Sequence, residues 1–220
     1  MNKVIKRNRI KKFKFITVIS NHIYNNKKEY LIACILFAIG LIFGIMYANN
    51  IDDNKFNQIS EYIRLLINNL NNVEEINYIE LLKKSVISNT IVIIIMWIAA
   101  STIIGIPIVY AEVAFRGFVL GYTVSCVLMV LGIKDGTIYN IGTLLLHNII
   151  FVPVLLGTAV SGMKTYKSIM KNKQKDNIKL EFLRHTIFCL LMLILLIISS
   201  IVEVYISTNL SKLLAQFIKI

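Results

Sequence analysis

The sequence predicts an all-α, polytopic integral membrane protein with five transmembrane helices and an extracytoplasmic amphipathic helical loop. Three observations carry that prediction. First, 56% of the 220 residues are hydrophobic and only 16% charged, against about 45–50% and about 25% in soluble domains. Second, the apolar residues gather into long uncharged runs of the length a bilayer core demands, about 20 residues as helix. Third, the net charge of +12 is segregated between runs, not spread over one surface. Two prolines and ten glycines argue against a loop-rich β protein. Together these exclude a secreted soluble enzyme, a disordered tail and a soluble nucleic-acid binder.

The amino-terminal segment, 1–29, is basic: residues 1–28 hold nine Lys or Arg and no acidic residue. The first span, 30–48, is uncharged. Its basic lead and 19-residue apolar stretch are too long for a cleaved signal peptide, and Met46-Tyr47-Ala48 is a poor cleavage site, so it reads as a retained anchor. The loop 49–84 carries four basic and six acidic residues. Within it Phe56, Ile59, Ile63, Leu66, Leu70 and Val73 recur at intervals of 3, 4, 3, 4 and 3, an apolar seam on one helix face. The second span is 85–109, where Gly105 and Pro107 end or kink the helix, since proline removes a backbone donor and clashes with the preceding turn. The third, 117–133, lies between Arg116 and Lys134; its Gly117 and Gly121 permit close backbone approach, within the chain or in a homo-oligomer. The fourth, 137–163, is uncharged for 27 residues and contains Pro153, expected to kink it near Ile149. A basic loop, 164–185, precedes the fifth span, 186–206, and an amphipathic tail, 207–220, closes the chain. In that region Ile206, Leu210, Leu213 or Leu214, and Phe217 stand at helical spacing.

Placing the amino terminus in the cytoplasm puts 17 basic residues inside and seven outside, and the reverse orientation inverts that ratio. The carboxyl terminus is then extracytoplasmic. The lipid bilayer is the expected partner of the spans, and no nucleic acid is expected. Each outer amphipathic segment either lies on its own bundle or in the headgroup layer, or presents a stripe to a partner protein.

Little in the chain points to catalysis. There is no HExxH, GxSxG, Walker loop or dinucleotide fingerprint, so no catalytic residue, cofactor or metal is expected. The six carboxylates of the 49–84 loop read as a solvated face. Cys34, Cys126 and Cys189 each fall in a different apolar run and read as small apolar side chains. The polar groups in or beside the spans carry more information, because ionisable groups at bilayer depth are costly. Glu112 and Arg116 are four apart and can pair on one helix face, placed where the chain reaches the cytoplasmic side. His147 and Asn148 lie inside the fourth span, where they cross-link helices or line a pathway. His22 and His185 fall in basic cytoplasmic surroundings. A transporter or channel component using Glu112, Arg116 and His147 is the competing class. An intramembrane enzyme would need Ser125 and His147 to act together, a thin case.

The stretch AFRGFVLGYTVSCVLMVLGIKDG, Ala114 to Gly136, resembles the stage II sporulation protein M family of endospore-forming bacteria. The preceding Asn89, Gly105 and Pro107 and the following HNIIFVP, His147 to Pro153, are similar too, and the order of elements agrees along the whole chain. Related membrane proteins of other bacteria and archaea often carry His-Gly and a Glu in the corresponding element. Here Asn148 follows His147, and Phe151 or Val152 stands where the acidic residue would be, a departure that favours the sporulation branch. The resemblance implies a non-catalytic scaffold in the mother-cell septal membrane. It would hold two cell-wall hydrolases for forespore engulfment: a lytic transglycosylase, stage II sporulation protein D, and an amidase, stage II sporulation protein P. The Phe56–Val73 seam would dock a partner helix, and tethering would raise the enzymes' effective concentration.

Overall fold

The structure is a computed structural model that describes residues 23–72, 77–102, 105–171 and 175–217. His22 and Val73 lie outside the described residues. Among those described the chain is helical and no strand occurs. The order is α1 (Lys27–Asn49), α2 (Asp53–Asn72), α3 (Tyr78–Ala100), α4 (Gly105–Asn140), a π-helical segment (Ile141–Leu145), α5 (Leu146–Lys171), α6 (Lys175–Ile201), a second π-helical segment (Val202–Ser207) and α7 (Thr208–Phe217). Four stretches are long and apolar enough to cross a membrane: Lys27–Asn49, Tyr78–Ala100, Gly105–Met170 and Ile178–Phe217. Helix is the economical state for such runs, because lipid offers backbone groups no hydrogen-bond partner.

The third stretch folds back on itself. Gly132 has φ 80° and ψ 167°, a backbone that an L side chain rarely adopts, and it divides α4 into an outgoing and a returning arm. The arms lie against each other: Asn140 Nδ2 donates to the Val124 carbonyl at 3.1 Å, and a Cβ on Gly136 would sit 2.9 Å from Leu128 Cα. The reversal is thus at Gly132, just before the polar Lys134–Asp135 pair.

α1 and the outgoing arm of α4 run parallel and in close contact. A Cβ on Gly40 or Gly44 would lie 2.0 or 2.1 Å from the carbonyl oxygen of Ala114 or Phe118. One on Gly117 or Gly121 would lie 2.2 Å from that of Phe37 or Leu41. Each helix thus sets two glycines against the other's backbone, the small-residue packing that membrane helices use in place of a hydrophobic drive. The Gly117–Gly121 pair packs within the chain, and its partner, Gly40–xxx–Gly44, is an element the sequence reading passed over.

Several boundaries differ from those read in the sequence. The 85–109 run is divided: α3 ends at Ala100, and turn bonds from Thr102 N to Ala99 O and from Gly105 N to Thr102 O carry the chain into α4. Gly105 packs so close that a Cβ would be 1.4 Å from Ala99 O. Pro107 falls in the first turn of α4, where the missing N–H has no intrahelical partner to lose. It begins a helix and does not end one. α5 continues through Pro153, and the irregular turn is the π-helical segment before it. The 164–185 segment is mostly the ends of α5 and α6.

Both amphipathic segments sit at the end of the bundle marked by Asn49 and Gly132. α2 packs on α7 and α4 through Ile67, which is buried, with Phe56, Ile59, Ile63 and Leu70 half-buried beside it. Leu66 is exposed, because four residues beyond Ile63 the inward position falls at Ile67. α7 turns Ser211 and Ala215 inward and leaves Leu213 and Phe217 exposed, so the small residues, not the expected apolar seam, make its closest contact. Tyr78 Oη donates to Asn209 Oδ1 at 2.7 Å and ties α3 to α7. The main core lies lower, where Met96, Val113, Leu155 and Leu196 meet.

Candidate functional site: a polar cavity among apolar helices

Polar pairs four residues apart occur in three places: Ser85 and Asn89 on α3, Glu112 and Arg116 on α4, and Ser199 on α6 with Glu203 in the π-helical segment that continues it. Spacing of four keeps each pair on one helix face. His147, Asn148 and Phe151 join them from the first turns of α5. The packing turns these faces toward one cavity of about 210 Å³, walled by Ser85, Ser88, Asn89, Arg116, Thr123, His147, Asn148, Phe151 and Glu203 with three apolar residues. Both π-helical segments border it, through Leu144 and Glu203. Such local widenings of a helix recur at functional sites because they re-aim side chains.

The cavity lies deep in the bundle. The contacts of Gly40 and Gly117 place residues 112–117 beside Phe37–Gly40, the middle of the uncharged 30–48 run. The Glu112–Arg116 pair is therefore at the centre of the spans and not at their cytoplasmic margin. In the hairpin, His147 stands 15 residues after Gly132 and Arg116 stands 16 before it, which brings them to one height.

Arg116 Nε donates to Glu112 Oε1 at 2.9 Å, and its guanidinium lies 5.6 Å from the centre of the Phe151 ring. A planar, weakly hydrated cation suits such a place better than an ammonium would. The His147 ring stacks on Phe151 as well, with centroids 5.2 Å apart. His147 Nδ1 is 2.9 Å from Ser199 Oγ and 3.5 Å from Glu203 Oε2, and Ser85 Oγ donates to the same carboxylate oxygen. Asn89 Nδ2 donates to Ser200 Oγ at 2.9 Å, linking α3 to α6. Asn148 Nδ2 donates to the Leu144 carbonyl at 2.7 Å.

This arrangement can bind and can share protons, but it does not assemble a nucleophile. A serine–histidine–acid triad needs the serine and the acid on opposite ring nitrogens. Here Ser199 and Glu203 both face Nδ1 of His147. Ser125 is elsewhere, with its hydroxyl 3.4 Å from Asn49 Oδ1, so the pairing of Ser125 with His147 does not form. His185 differs from its expected setting: it is 1% exposed, with Nδ1 2.9 Å from Ser161 Oγ and Nε2 3.5 Å from Cys189 Sγ. No group of three or more His, Cys, Asp or Glu suited to a metal occurs among the described residues.

Of the residues singled out in the sequence, Arg116, His147 and Asn148 meet at this cavity and Glu112 anchors Arg116 behind it. Gly105, Pro107, Gly117, Gly121 and Pro153 shape the helices and do not line it. Sequence reasoning missed Ser85, Ser199 and Glu203, because Ser85 was read as the first residue of a span and the other two as ordinary residues within the fifth. The signal was present in the repeated spacing of four on separate apolar helices.

An uncharacterized protein of Methanocaldococcus jannaschii is 25% identical over 193 residues, which cover 84% of this chain and 96% of the relative. No solved structure matches the chain. A family model described as stage II sporulation protein M matches residues 33–208, from the first turns of α1 to the start of α7. With the match spanning nearly the whole helical bundle, the chain belongs to the stage II sporulation protein M family.

Proposed function

We propose that this chain is a non-catalytic scaffold of the cell membrane that recruits septal peptidoglycan hydrolases for forespore engulfment. The hydrolases are a lytic transglycosylase, stage II sporulation protein D, and an amidase, stage II sporulation protein P. The observation that carries the reading is the family match over 33–208, which takes in the membrane bundle and α2 together. The family is not a known enzyme family.

The chain crosses the membrane five times in this reading. The reversal at Gly132 supports two crossings by Gly105–Met170, since 66 residues of helix exceed the roughly 20 that one crossing needs. The amino terminus is cytoplasmic and the carboxyl terminus outside, in the mother-cell septal membrane. With Arg116 inside the bundle, the cytoplasmic segments hold 16 basic residues and the outer ones still hold seven. α2 and α7 then face the wall. Because the seam of α2 rests on the bundle, the partner's contact falls on the other face, where Leu65 is exposed.

Affinity purification of the tagged, membrane-extracted protein from sporulating cells tests this. The expected result is recovery of a transglycosylase and an amidase, reduced by Leu65→Asp at unchanged abundance. Recovery of neither, where a known membrane complex survives the same extraction, would overturn it. The polar cavity favours a second reading, a transporter component using Arg116 and His147 beside Glu112, and substrate-dependent flux in proteoliposomes would establish that one instead.

A further inference from the structure

The polar cavity adjoins a groove of opposite chemistry. The groove, about 290 Å³, runs between α1 and the two arms of the hairpin, with Leu41, Leu120, Val124, Leu128, Ile141 and Leu145 among its walls. Leu120, Leu144 and Asn148 wall both spaces, so the two adjoin. Ile141 and Leu145 are half exposed and form the lip on the bundle's flank, where lipid chains lie. A polar chamber beside an apolar trough at bilayer depth fits an amphiphile: head in the chamber, chain in the trough.

The chamber also discriminates among heads. Its walls hold one guanidinium, Arg116, and one carboxylate, Glu203. Arg116 uses Nε for Glu112, and its terminal N–H groups have no partner among the described residues. Those groups can take a phosphate, which guanidinium forks match in shape and charge. Several of the other polar walls direct donors away from the chamber: the Asn89 amide N–H groups go to Ser200 and Ser85, one Asn148 N–H to Leu144, and the Thr123 hydroxyl to the Val119 carbonyl. The acceptors on the walls are two amide oxygens and the second oxygen of Glu203. Asn140 Oδ1, on the groove wall, is buried and also lacks a partner. A head with N–H donors and positive charge beyond its phosphate satisfies this set. A quaternary ammonium brings the charge without the donors, and a glycerol head brings hydroxyl donors without the positive charge that Glu203 would take.

We propose that the chamber and groove bind one phospholipid with a phosphoethanolamine headgroup, its phosphate on Arg116 and its ammonium on Glu203. This needs the chain to lie in a bilayer and is independent of which hydrolases it recruits. The test is native mass spectrometry of the purified full-length protein after equilibration with vesicles of equal parts phosphatidylethanolamine, phosphatidylcholine and phosphatidylglycerol. One retained lipid is expected, phosphatidylethanolamine favoured about tenfold, which corresponds to about 1.4 kcal/mol. Glu203→Gln keeps the shape and should bring the three lipids to near parity. Leu145→Trp, at the exposed lip, should lower retention of all three without lowering the melting temperature. Equal retention of the three by the wild type, retention of none, a preference for phosphatidylglycerol, or a preference unchanged by Glu203→Gln would each overturn the proposal.

Discussion

Arg116 shows how a charge is kept within an apolar bundle. Its guanidinium is offset by Glu112 one turn earlier and covered by the Phe151 ring, with the two side chains 26% and 16% exposed. Removing one partner of such a pair leaves an uncompensated charge, a loss of about 3–5 kcal/mol where the pair is buried, and neutralising both is much milder. Glu112→Gln alone is therefore expected to lower the melting temperature in detergent more than Glu112→Gln with Arg116→Gln. Equal losses would mean that water already reaches the pair. Ile67, 1% exposed under α2, belongs to another class. Ile67→Ala should cost about 2–5 kcal/mol as a core truncation, and limited proteolysis should then cut first within α2. Glu112 with Arg116 was legible in the sequence because both lie on one helix. Glu203 was not, because its partners Ser85 and His147 come from chain positions 118 and 56 residues away, and only tertiary packing unites them.

Among the elements, α1 and the outgoing arm of α4 depend most on what is absent from their side chains. At all four glycines an added Cβ would come within 2.2 Å of a backbone carbonyl oxygen, with no flexible side chain to give way. Gly117→Val should force the helices apart and cost more than the 1–3 kcal/mol typical of overpacked cores. Its steady-state level in the membrane should fall well below that of Pro107→Ala, which changes a first-turn residue whose missing N–H costs the helix nothing. Near-equal levels would refute the assignment of these two roles. Apolar run length predicted the helices well, since lipid leaves the backbone no other choice. Their ends were less legible. Ser101 to Gly105 breaks a continuous apolar run by local turn bonds, and Gly132 reverses the chain ahead of the charged residues that seemed to mark the loop. Neither event alters hydropathy. The seam of α2 was legible as a periodicity, but whether it faced its own bundle or a partner depended on where α7 came to rest.

For the whole molecule, the testable quantity is which ends share a side. The hairpin and the parallel α1–α4 pair put Lys134 and Lys212 on the side of α2, opposite Lys167, whose ammonium meets Glu29 at the start of α1. In a protein with Cys34, Cys126 and Cys189 replaced, single cysteines at 134 and 212 should react with an impermeant maleimide on intact cells stripped of their wall. A cysteine at 167 should react only after permeabilisation. Labelling at 134 without permeabilisation, together with labelling at 167, would refute the five-crossing topology. The order in which these parts meet is fixed by the length of chain between them. Gly40 and Gly117 are 77 residues apart, and synthesis at about 5–20 residues per second separates their appearance by roughly 4–15 s. For that interval α1 is in the membrane with its glycine face against lipid or an insertion factor, waiting for a partner still on the ribosome. A pause in translation between codons 45 and 115 would lengthen that exposure, so the close glycine contact between α1 and α4 also depends on the pace of the protein's own synthesis.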